Sequence, residues 1–191
     1  MEAKTIDNEI VARDNIKKKA LPYIGIPVIA AAYLILKFSS GDIMAVIRSL
    51  TLVGFGYIAA YADLTTRKVP NKFILVFLAS WLVFMSINVI YNIDSAINIL
   101  VQSLISGAAA GGFFMFVYLI SRGGIGGGDV KFIAVMGLFL TFAKLMQILL
   151  ISSLLAVIAS AILLIAKRAT MKTAIPLIPF LYIGVLANLL L

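Results

Sequence analysis

Two carboxylates stand where carboxylates are costly. Asp129 follows the run Ser121-Arg122-Gly123-Gly124-Ile125-Gly126-Gly127-Gly128 and opens an apolar stretch, while Asp63 closes another. An acidic side chain at the edge of a bilayer's hydrocarbon is disfavoured unless it meets water, a partner or a reacting group. The glycines before Asp129 lack Cβ, so they admit positive φ and let a second backbone come close. The chain has no His and no Cys, which removes the commonest general base and any thiolate nucleophile or thiolate metal site. Acid–base chemistry therefore falls to carboxylates. Two carboxyls sharing a proton can divide the work: the ionised one takes a proton from water while its protonated partner polarises a scissile carbonyl. Neither a metal nor a cofactor is expected.

The composition says where such a pair must sit. Of 191 residues, 63% are hydrophobic and 13% charged, and the mean hydropathy is +1.12. A soluble domain carries about half apolar and a quarter charged residues, so this chain reads as an all-α, polytopic membrane bundle. The net charge of +8 does not imply nucleic acid, because the basic residues lie in short loops between apolar runs. Those runs are Leu21 to Leu36, Ile43 to Ala62, Phe73 to Tyr91, Ile97 to Ile120, Val130 to Ala143, Leu145 to Ala166 and Ala174 to Leu191. A spanning helix needs roughly 20 residues, so the short first and fifth runs leave six to seven transmembrane helices.

Residues 1–20 are polar and of mixed charge, and form a cytoplasmic or interfacial segment ahead of a transmembrane domain over 21–191. They are not expected to be a secretory signal, since no small-residue cleavage pattern follows Leu36 and Pro22 and Pro27 interrupt the run. With the N-terminus cytoplasmic, Lys17 to Lys19, Arg67, Lys68, Lys72, Arg122, Lys131, Lys167, Arg168 and Lys172 all fall inside, leaving only Lys37, Arg48 and Lys144 near outer ends. Asp63 and Asp129 then share the cytoplasmic boundary. Asp42 and Asp94 lie at the other face, where N-capping of the following helices accounts for them. Gly107 to Gly112 and Gly54-Phe55-Gly56 read as small-residue faces for close helix packing.

Simple capping is also a sufficient account of Asp129, whose position suits an N-cap. Asp63 is harder to explain that way, because a helix C-terminus is the unfavourable pole for an anion. Helix position thus predicts an ionised Asp129 and a shared proton held mostly on Asp63. Pro70 and Asn71 form a turn and a helix start. Lys131 has two readings, a charge acting on the dyad or an anchor at headgroup level.

At this point the chain resembles the type IV prepilin peptidases and archaeal preflagellin (archaellin) peptidases, intramembrane aspartyl proteases of the GxGD kind. The resemblance rests on Gly126-Gly127-Gly128-Asp129 with Val130-Lys131, on Asp63 followed by the Arg-Lys-Val-Pro-Asn turn at 67–71, and on Ile175-Pro176-Leu177-Ile178-Pro179-Phe180. It covers residues 43–191. It implies Asp63 and Asp129 as the catalytic pair, with Gly126, Gly127, Gly128, Lys131, Pro70, Asn71, Pro176 and Pro179 shaping the site. Pro176 and Pro179 would hold the last helix open near the site, or stand as kinks of the kind membrane helices tolerate. The implied substrates are prepilin or preflagellin precursors in the cytoplasmic membrane, cut between a short basic leader, commonly ending in glycine, and an apolar helix. Bacterial members that also methylate the new N-terminus carry an added cysteine-paired region. This chain has neither Cys nor room for that region, so methyl transfer is not expected. The sequence leaves the oligomeric state open.

Two other classes compete. A proton- or ion-coupled transporter would place its carboxylates near the membrane midplane, usually with internal repeats, and no repeat is visible here. A non-catalytic scaffold would use all four membrane-edge aspartates as caps.

Overall fold

The computed structural model describes residues 43–121, 126–166 and 176–190. The segment 1–20, the run Leu21 to Leu36, Asp42, the loop 122–125 and the basic stretch 167–175 lie outside the described residues. What is described is all helical: α1 Ile43–Thr66, α2 Asn71–Tyr91, α3 Ile93–Ser121, α4 Gly127–Leu138, α5 Phe142–Ile165 and α6 Ile178–Leu190. Four of these, α1, α2, α3 and α5, are long and apolar enough to cross a membrane. Their outward faces stay apolar, with Ile90 and Ile165 each 82% exposed, a surface suited to lipid rather than water.

Helix boundaries differ from the apolar runs for local reasons. α1 continues one turn past Ala62, so Asp63 lies inside its last turn. There the Arg67 N–H donates to the Asp63 carbonyl at 3.0 Å, with Arg67 in the left-handed region at φ 52°. This is the single backbone bond of an αL helix stop. Pro70 precedes α2 in extended conformation, a place where its missing N–H leaves no ladder bond unmade. Between α2 and α3 a single residue, Asn92, is non-helical. Its Oδ1 accepts the Ser95 N–H at 3.1 Å, so Asn92 caps α3 and the capping role expected of Asp94 is corrected; Asp94 sits inside the first turn. The fifth run splits: α4 stops at Leu138, and Phe142 and Ala143 begin α5.

Packing brings the short helix α4 into the middle. Phe77 on α2 is fully buried and its ring stacks on Phe55 of α1 at 4.6 Å, on Phe139 at 4.9 Å and on Phe132 of α4 at 5.7 Å. On the other side α4 crosses α3 at glycines: a methyl group at Gly137 would stand 3.0 Å from the Gly107 Cα, and one at Gly111 3.0 Å from the Ala134 Cβ. Such backbone-to-backbone approach is how helices associate where lipid removes the hydrophobic drive. Gly107 and Gly111 therefore act as the expected small-residue face, whereas Gly112 and Gly54 face open space. A second close crossing, Gly184 of α6 on Ile148 and Ser152 of α5, had no counterpart in the sequence reading. α6 is thereby held between α5 and α1.

Candidate active site

Asp63, on the last turn of α1, is only 4% exposed. Its Oδ2 accepts the backbone N–H of Ile178 at 3.2 Å. Ile178 is the first residue of α6, so its N–H is one of the donors a helix leaves unpaired. The carboxylate of one helix thus caps the start of another. Helix position on α1 argued for a neutral Asp63, but the favourable N-terminal pole of α6 faces the same group. That argument no longer decides where the proton sits.

Asp129 stands in the first turn of α4, outside the four spanning-length helices. Gly126, not Asp129, is the N-cap residue; the Gly126 carbonyl accepts the Asp129 N–H at 3.0 Å. A methyl group at Gly126 would stand 3.2 Å from Asp129 Oδ2, so the glycine keeps clear the space the carboxylate occupies. The Asp129 carboxyl is pushed up to about 6, first by burial and then by the charge of Asp63, with the Gly126 N–H pulling the other way. The ionised Asp129 expected from helix position is therefore opposed by desolvation and by its neighbour, the two larger effects.

The structure also places the residues around the pair. A methyl group at Gly128 would meet the Val69 carbonyl at 3.4 Å and the Val69 Cβ at 3.6 Å, so the glycine turn packs on the α1–α2 connection directly after Asp63. One at Gly127 would come no nearer than 3.9 Å, to Tyr118. Lys131 Nζ donates to Asn71 Oδ1 at 3.1 Å on the exposed surface. Asn71 is thus more than a helix starter, and Lys131 has a specific partner on α2. Pro176 lies just before α6 and Pro179 within its first turn, where proline costs no helix bond; neither makes a mid-helix kink. The three stretches read from the sequence, at 63–71, 126–131 and 176–179, are therefore joined at one end of the bundle. Met44, Tyr91 and Ser95 share a pocket at the other end, beside Arg48.

The Ile178 N–H and Val69, both inside stretches the sequence singled out, and Tyr182, outside them, were given no site role by the sequence. A main-chain donor leaves no mark in residue types, and Val69 and Tyr182 look like ordinary apolar positions. Tyr182 packs its ring on the face of Gly56, where an added methyl would stand 3.0 Å from its Cδ2.

A family model described as the type IV leader peptidase family matches residues 50–161. The chain belongs to that family. The match takes in Asp63 and Asp129 with their flanking turns, while the third landmark, 176–179, lies beyond it. Searches of curated proteins and of solved structures return no match. Membership makes this chain a leader peptidase of the type IV kind, a membrane protein with prepilin-type precursors as its general substrate class. The transporter and scaffold readings give way to it.

Proposed function

We propose that this leader peptidase is an aspartic endopeptidase of the GxGD kind whose catalytic pair is Asp63 and Asp129. It removes the short basic leader of prepilins or preflagellins (archaellins) at the cytoplasmic face of the cell membrane, and does not methylate the product. In this reading the N-terminus is cytoplasmic, residues 1–20 form a polar segment ahead of a transmembrane domain over 21–191, and the first apolar run adds a span. The observation that carries the reading is that Asp63, buried and held by the Ile178 N–H, ends α1 at the same end of the bundle where the glycine turn carrying Asp129 packs on Val69.

The dyad works with one proton between its two carboxyls. The ionised carboxylate removes a proton from a water molecule as its oxygen attacks the scissile carbonyl carbon. The protonated partner hydrogen-bonds the carbonyl oxygen as it gains negative charge. Collapse of the tetrahedral intermediate breaks the C–N bond, and a carboxyl delivers a proton to the departing amine. Gly126 leaves room for Asp129 to move, and the Ile178 N–H orients Asp63. The basic leader remains in water while the apolar helix of the precursor stays in lipid.

Purified wild type is expected to cleave a precursor whose basic leader ends in glycine before an apolar helix. Asp63→Asn and Asp129→Asn are each expected to lose about 10²–10⁴-fold in rate while remaining folded, because Asn accepts the same hydrogen bonds but transfers no proton. Retained cleavage in either folded variant would remove that residue from the mechanism.

A further inference from the structure

Two contacts fasten the turn that carries Asp129 to the connection that follows Asp63. Gly128, just before Asp129, packs on Val69, and Lys131, just beyond it, donates from Nζ to Asn71 Oδ1 at 3.1 Å. Val69 and Asn71 flank Pro70, which stands extended ahead of α2. Asp129 thus lies between two points of attachment on α4. Both rest on the stretch that the chain enters through the αL stop of α1 at Arg67.

The far half of α4 is pinned separately, where Gly137 crosses Gly107. From that crossing to Asp129 runs about 12 Å of helix. A swing of about 5° there would therefore move Asp129 by about 1 Å, and a misplacement of that size can cost on the order of 10²-fold in rate. Van der Waals contact between Gly128 and Val69 limits how near the turn can come, but it does not stop the turn from swinging away. The Lys131 bond does. It joins two side chains 60 positions apart in the chain, and residues 128 and 131 share one face of the helix.

We propose that Lys131 and Asn71 are positioning residues for the dyad: their hydrogen bond holds the first turn of α4 against the α1–α2 connection and so sets Asp129 at its working distance from Asp63. This rests on the dyad reading above. A solvent-exposed hydrogen bond adds little net stability, because water replaces it when it breaks, so its effect is on placement. The pairing also separates this role from the two readings of Lys131 that the sequence offered. A charge acting on the dyad needs no Asn71, and an anchor at headgroup level needs no side-chain partner. Only a clamp makes the two residues depend on each other.

The test measures steady-state cleavage by the full chain in bilayers, with a precursor whose basic leader ends in glycine before an apolar helix. Lys131→Met and Asn71→Ala are each expected to lower kcat about three- to tenfold, the effect of one lost hydrogen bond, with KM near wild type. The double variant is expected to be no slower than the slower single, since either change alone removes the bond. Asn71→Asp, which keeps an acceptor for the ammonium, is expected to recover most of the rate lost in Asn71→Ala. Denaturant midpoints of all four variants should match wild type. Losses that multiply in the double variant, or a loss in Lys131→Met with none in Asn71→Ala, would overturn the clamp and leave Lys131 acting by its charge or as an anchor. A midpoint that falls in step with kcat would overturn it too, because the bond would then serve the fold. In these outcomes Asp63→Asn and Asp129→Asn stay inactive and the dyad stands. Cleavage that survives in either of those two removes the dyad, and this proposal with it.

Discussion

The Ile178 N–H donates to the Asp63 carboxylate across 115 positions of chain. It ties the last turn of α1 to the first turn of α6, and so couples the orientation of one proposed catalytic group to the seating of a helix outside the matched family region. A bond between a backbone donor and a carboxylate is stronger than one between neutral groups, and it limits the rotamers open to Asp63.

Removing that donor is the most direct probe of the coupling. Ile178→Pro deletes the N–H at a helix position where proline is tolerated, and Ile178→Ala controls for the lost side chain. Proline is expected to lower kcat/KM roughly tenfold or more beyond alanine, the range for a hydrogen bond to a charged group. Equal losses in the two variants would show that the bond does not orient Asp63 for the reaction.

The glycines before Asp129 are expected to be unequal. Gly126→Ala puts a methyl 3.2 Å from the Asp129 carboxylate, and displacement of a reacting group is expected to lower kcat about tenfold or more. Gly127→Ala meets only the Tyr118 ring edge, at 3.9 Å, and should leave kcat near wild type. Steady-state kinetics on the two folded variants decides this.

Stability should report the α3–α4 crossing. Gly137→Ala would crowd the Gly107 Cα and the Ser106 carbonyl, each at 3.0 Å, where backbone rather than a flexible side chain must yield. A loss of about 1–3 kcal/mol is expected from overpacking. Gly112→Ala meets nothing within 4 Å and should be neutral or slightly stabilising, since alanine is the better helix former. Denaturant unfolding in micelles separates the two.

Acidity should follow the pair. Burial and then the Asp63 charge push the Asp129 carboxyl up to about 6. Below that pH Asp129 carries a proton that a one-proton dyad can use, and above it Asp129 ionises. Cleavage is therefore expected to fall as pH rises past about 6, with the apparent value belonging to the pair. In Asp63→Asn the neighbouring charge is gone while burial remains, so the Asp129 titration should move to lower pH yet stay above the ordinary carboxylate range. Carboxyl ¹³C NMR of the variant in micelles measures the shift; an unchanged value would mean that the two groups do not interact.

Much of the architecture was legible before any coordinates. Apolar runs of spanning length declare themselves because hydrocarbon tolerates few charges, and Asp63 and Asp129 stood out because they break that rule at its edge. The glycines before Asp129 pointed to close backbone approach, which Gly128 makes on Val69, while Gly126 instead leaves room for the Asp129 carboxylate. Helix ends were less legible. One unpaired backbone donor can be capped by any of several neighbours, and so Asn92 rather than Asp94 starts α3, and α1 runs through Asp63 instead of stopping before it. Beyond reach altogether were the contacts between distant stretches: Ile178 on Asp63, Lys131 on Asn71, Gly128 on Val69 and Tyr182 on Gly56. Residue types encode each helix's cost in lipid one segment at a time, but which faces meet depends on the joint packing of all of them. That packing sets the Asp63 carboxylate against the start of α6, and it half-buries the Asp129 carboxyl, which pushes up the pKa that helix position alone would have lowered.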